Sequence, residues 1–136
     1  MLTQTAIYAL RAMGFMAAPR PGGPVLSKVI AEKTNIPHNF LSKIMNRLVQ
    51  AGYLQSIRGT NGGFVLSKSP EEINLLEIAA LFMRLDNLHE CFLGMHRCNG
   101  TCRLHDKWQP VANEFFSMLG DTRIDQVFQD QEQTRR

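Results

Sequence analysis

Acidic side chains are almost missing from the first half of this chain. Residues 1 to 68 hold one carboxylate, Glu32, against eight Lys or Arg, a net charge of +7. Residues 69 to 136 reverse the balance, with seven basic and eleven acidic groups, and the full 136 residues come to +3. A half so poor in acids offers no carboxylate pair for acid–base work. Its cations suit a polyanion whose neutralised phosphates release counterions. A basic, merely solvated face meets the charge count equally well, so organisation decides.

Long apolar runs are also lacking. None approaches the roughly 20 residues of a membrane-spanning helix, so no membrane partner is expected. The opening "MLTQTAIYALRAM" has neither a basic start nor a small-residue cleavage site, which points away from a signal peptide and toward the cytoplasm. Cysteine is absent outside "CFLGMHRCNGTCRLH", residues 91 to 105, where all three thiols and two of the four histidines lie. In a reducing cytosol that clustering favours metal or redox chemistry over a disulfide framework. No Ser–His–Asp set stands out, and "RGTNGG" lacks the strand-to-helix setting of a nucleotide-binding loop, so an enzyme is not expected. With 44% apolar residues the chain can build one domain, or a small domain with a helical extension.

What is present has a clear order. "TQTAIYALRAMGFMAA" sets Ile7, Leu10, Met13 or Gly14, and Ala17 at helical spacing and stops at "PRPGGP". A second helix starts near Ser27, a suitable N-cap, and runs through Ile30 to Lys33. Asn35 then tolerates the left-handed backbone of a tight turn. Pro37 suits the first turn of a third helix, "PHNFLSKIMNRLVQAG", expected to bury Phe40, Leu41, Ile44, Leu48 and Val49 and to end at Gly52. Two helices joined by so short a turn form a helix-turn-helix. Ile57 and Phe64 flank "RGTNGG", the tip of a hairpin.

The fold class expected is therefore mostly α with a small β-hairpin wing, a winged helix-turn-helix over residues 1–69. Residues 70–129 add a helix in "PEEINLLEIAALFMRL", whose leading acids suit its positive end, then a loop over about 91–105. A C-terminal dimerisation helix over about 106–120 carries Trp108, Val111 or Ala112, Phe115 and Leu119 on one stripe. Residues 130–136 read as a disordered tail.

In a helix-turn-helix the N-terminal turn of the second helix meets base edges. Here that turn offers His38, Asn39, Ser42 and Lys43; Asn pairs bidentately with adenine, and Lys reaches guanine or phosphate. Arg58, at the root of the wing, is free for the minor groove or the backbone. The glycines at 59, 62 and 63 let the hairpin tip approach a duplex. Cys91, Cys98, Cys102 and His105 are separated by six, three and two residues. Three thiolates and an imidazole make an ordinary tetrahedral zinc site. They suit an iron–sulfur cluster equally, and buried free thiols are the plain alternative.

"YALRAM", "NFLSKIMNRLVQAGYLQSIRGTNGGFVLSK" and "CRLHDKW" together resemble the family of winged-helix iron–sulfur regulators that includes IscR and NsrR, over almost the full length. The resemblance implies a homodimer, a double-stranded DNA operator and a cluster that tunes DNA affinity. It places DNA contacts on Pro37, His38, Asn39, Ser42, Lys43, Arg58 and Gly59, and cluster cysteines on Cys91, Cys98 and Cys102. IscR-like members take their fourth ligand three residues after the last cysteine, the position of His105. Other members use an acid from the partner's first helix, where this chain has Ile7. By analogy that favours a [2Fe–2S] cluster, with [4Fe–4S] or zinc as alternatives and His89 and His96 as nearby substitutes. The gap from Cys98 to Cys102 is shorter than in those relatives, a departure that bears on cluster type and occupancy.

The function expected is a cytoplasmic, homodimeric transcriptional regulator, a repressor, whose operator affinity follows an iron–sulfur cluster sensing iron, nitric oxide or redox state. Its rivals are a zinc-bound or metal-free winged-helix regulator without sensing, and a small redox protein.

Overall fold

The computed structural model describes residues 2–19, 22–86, 91–94 and 102–128. Cys98, His89, His96 and the tail at 130–136 lie outside the described residues.

Helix α1, Gln4–Ala17, starts where the Thr3 hydroxyl accepts the Ala6 amide at 3.1 Å, an N-cap that satisfies one orphan donor. The buried face of α1 is built from Ala6, Ala9, Ala12 and Met13. Ile7, expected on the inner stripe, is instead 37% exposed. The alanines explain the rotation: small side chains let neighbouring helices approach closely, and the larger residues move to the flanks.

Helices α2, Ser27–Thr34, and α3, His38–Gln50, are joined through Asn35, whose φ of 56° is the left-handed turn expected of it. Ser27 is the first helical residue rather than the N-cap; Leu26 holds that position, and the Ser27 hydroxyl meets His38 Nε2 at 3.3 Å. Pro37 caps α3, its carbonyl accepting from Phe40 and Leu41. Leu41, Ile44, Met45 and Leu48 are the buried face of α3. Phe40 does not join them. It is 49% exposed and packs at 6.1 Å against the Tyr8 ring, on the flank that α1 covers only in part.

Gly52, at φ 88°, turns the chain into strand β1, Leu54–Ile57, which pairs antiparallel with β2, Gly63–Leu66, in the register Leu54–Leu66 to Ile57–Gly63. Val25 exchanges both backbone hydrogen bonds with Phe64, at 2.9 and 3.0 Å, so the stretch before α2 lies along the hairpin as a third partner. This is a winged helix.

The long helix expected from Pro70 is broken. A 3₁₀ turn, Pro70–Glu72, ends at the buried, extended Ile73, and α4 spans only Leu75–Ala79. Asn74 and Glu77 form a reciprocal capping box, and Ile73 accepts the Ile124 amide at 2.8 Å. That backbone pairing, absent from any local pattern, outweighs helix continuation through residues 70–74.

Helix α5, His105–Asp121, carries Pro110 in its interior and packs on α4. Its end returns to the winged helix: Ile124 is fully buried in the main core, and Val127 and Phe128 lie over Gly14 of α1, where an added methyl would come within 2.8 Å of Val127 Cγ1.

Candidate nucleic-acid interface and cysteine segment

Helix α3 presents its core residues on one side and a polar strip on the other. Pro37, His38, Asn39 and Lys43 are exposed and Ser42 is partly so, with its hydroxyl turned back to the His38 carbonyl at 3.1 Å. Asn46, one turn beyond Ser42, is exposed on the same strip. Its amide is of the type that can pair with base edges, and the four- and three-residue spacing from Ser42 and Lys43 was the signal that could have found it. Arg58 and Gly59 are exposed at the root of the wing, with Gly59 at φ 118°.

The cations of the basic half divide into two groups. Arg11 is committed inside the fold: Nη1 donates to the Thr34 carbonyl at 3.0 Å, and the guanidinium lies 5.4 Å from the Tyr8 ring centre. Lys68 lies over the Tyr53 ring at 4.2 Å. Lys28, Lys33, Lys43, Arg47 and Arg58 remain exposed, and none is in an ion pair among the described residues. Uncompensated cations on the helix-turn-helix and wing attract a phosphate backbone without first breaking an internal bridge.

The cysteine segment is described at both ends. Cys91 and Cys102 are partly exposed, and His105 is the first residue of α5, its amide donating to the Cys102 carbonyl at 3.2 Å. Phe92, beside Cys91, meets Trp108 of α5 with ring centres 5.1 Å apart. Cys91, Cys102 and His105 do not form a three-donor group among the described residues. The donor types nevertheless fit a thiolate-rich metal or cluster site, which binds deprotonated sulfur and neutral imidazole and gathers its ligands as it forms.

The five hydrophobic residues expected at a dimer contact separate by depth. Ala112 and Leu119 are buried within this chain, Trp108 and Phe115 are half-buried, and Val111 is 52% exposed. Met118, 49% exposed, was not singled out in the sequence because it adjoins Leu119. No helix among the described residues is long and apolar enough to cross a membrane.

Comparison with known proteins agrees with this geometry. A helix-turn-helix transcriptional regulator of Aquifex aeolicus is 33% identical over 128 residues, covering 90% of this chain and 87% of that one. The transcriptional regulator NsrR of Bacillus subtilis is 43% identical over 91 residues, covering 67% and 62%. The structure of CymR, titled the global cysteine regulator of B. subtilis, superposes with a TM-score of 0.77 at 22% identity over 93% of this chain and 95% of that one, which establishes the shared fold. The Rrf2 family, described as iron-dependent transcriptional regulators, matches residues 2–130, and this chain belongs to it: a winged-helix, DNA-binding transcriptional regulator rather than an enzyme.

Proposed function

We propose that the protein works in the cytoplasm as a homodimeric repressor whose affinity for a double-stranded operator is set by an iron–sulfur cluster, of the [2Fe–2S] type. Cys91, Cys98 and Cys102 would hold it as thiolates, and His105 through an imidazole nitrogen. When bound, the cluster supplies a redox-active group whose presence depends on iron.

The observation that carries this reading is the place of His105, the proposed fourth donor, as the first residue of α5. A held His105 fixes the first turn of α5 beside Cys102 and keeps Trp108 against Phe92. A released His105 frees that turn to move. Helix α5 also offers the exposed Val111 and Met118 to a second copy, so its movement changes the separation of two recognition helices set about one DNA turn apart. A coupling of about 1–3 kcal/mol, roughly 5- to 150-fold in affinity, is sufficient for such a switch.

The test is iron, acid-labile sulfide and zinc content of protein purified without oxygen, with operator affinity before and after cluster removal. Equal iron and sulfide, lost in Cys98→Ala, with affinity changed at least fivefold, is the expected result. Equal affinity in the two forms would sink the switch. Zinc alone would leave a Cys3His-stabilised winged-helix regulator, the reading that the same donor set favours next.

A further inference from the structure

Beside the recognition helix lies an open-sided groove of about 470 Å³, lined by residues of α1, α3 and the turn after α4. Its apolar part is Phe40, Ile44 and Phe82; its polar part is Lys43, Arg47 and the Thr5 hydroxyl. Lys43 and Arg47 stand one helical turn apart on α3, both exposed and neither paired with an acid among the described residues. Ligand pockets of this size combine an apolar lining with a few convergent polar groups. A guanidinium fork matches the two oxygens of a carboxylate, while an ammonium one turn away adds a second positive charge. The rings of Phe40 and Phe82 leave an apolar body as the complementary remainder. From this juxtaposition we infer that the groove is an effector site for a small amphipathic carboxylate.

The site is placed to regulate. Lys43 lies both in the groove and on the strip that faces DNA, so a carboxylate and a phosphate backbone compete for one ammonium. Binding of the carboxylate stands independently of the DNA reading; only the competition rests on it, and the two are read separately.

The probe is decanoate, with 1-decanol as its uncharged counterpart, titrated below micelle formation into the full chain while amide chemical shifts are followed. Decanoate should give saturable shifts in residues 40–47 and 81–82. Arg47→Gln should weaken the binding about tenfold, the size of one charge-assisted hydrogen bond. Arg84→Gln, whose guanidinium pairs with Asp86 at 3.3 Å outside the groove, should leave it unchanged. In fluorescence anisotropy with a random-sequence duplex, saturating decanoate should weaken DNA binding of the parent chain and not of Arg47→Gln. Equal shifts with decanol would overturn carboxylate recognition. Shifts confined to the Val111–Met118 face of α5, or none that saturate, would overturn the site. Saturable binding with unchanged anisotropy would overturn the regulatory role.

Discussion

Among the described residues Lys43 has no acid to leave when it meets a phosphate. In Lys43→Ala, affinity should fall on operator and random duplex alike, and the slope of log affinity against log salt should shrink by about one unit. Anisotropy titrations across a salt series measure it, and an unchanged slope would place Lys43 off the backbone. Tyr53 makes a different prediction. Its hydroxyl donates to Glu77 Oε1 at 2.9 Å, and burial, with that carboxylate beside it, pushes its pKa up from 10.0 to about 12. The folded chain thus keeps this proton longer than the unfolded chain. The resulting stabilisation is complete below pH 10 and is lost as pH rises toward about 12. Tyr53→Phe should lose about 1.5 kcal/mol at neutral pH, the scale of a hydrogen bond to a charged group, and should show a shallower alkaline decline in urea melts. Equal alkaline slopes would assign the titration elsewhere. The bounds of α3 were legible in sequence because Asn35, Pro37 and Gly52 punctuate that helix so firmly. Phe40 was misplaced because an aromatic at the edge of a helical stripe can stack on a neighbour's flank, here Tyr8, instead of entering the core.

The wing shows what one element demands of a glycine. At Gly63, φ is 142°, and an added Cβ would overlap the Val25 carbonyl and approach Leu26 N to 2.9 Å. That neighbour is backbone, held by the two hydrogen bonds between Val25 and Phe64, so it has little room to yield. Gly63→Ala should cost about 3 kcal/mol through overpacking and backbone strain together. Gly59→Ala, in open space at φ 118°, bears the conformational cost alone, about 1 kcal/mol. Thermal melts of both variants separate the effects, and equal losses would mean that contact with Val25 is not the constraint. The hairpin itself was readable from "RGTNGG", but its third partner was not, since Val25 and Phe64 are joined only by the folded path of the chain. The same limit broke the helix expected after Pro70. Asn74 and Glu77 cap each other locally, and Ile73 pairs with Ile124 across fifty residues of sequence that no periodicity links.

Over the whole molecule, helix α5 has two faces with different work to do. Ala112 and Leu119 are buried against the chain's own core, so they are unavailable to a second copy unless the fold opens. Val111 and Met118, with Pro110, Glu114 and Phe115, line an open groove of about 540 Å³ on the other side. Val111 and Ala112 are adjacent in sequence and about 100° apart around the helix, which is why spacing left the choice between them open and the structure divides them. If the proposed dimer forms through this face, its two-fold symmetry buries Val111 of both copies in one contact. Val111→Glu would then set additional carboxylates in an apolar contact that cannot neutralise them. At a site 52% exposed in the single chain, the same substitution leaves the core intact. The variant should therefore keep its helical circular dichroism yet elute at the mass of one chain. Losing simultaneous contact with two half-sites should reduce operator affinity by at least about 100-fold, while random-duplex binding per chain falls much less. A variant that remains dimeric would move the partner contact to another face, and would remove α5 from the path by which His105 is proposed to reach the DNA.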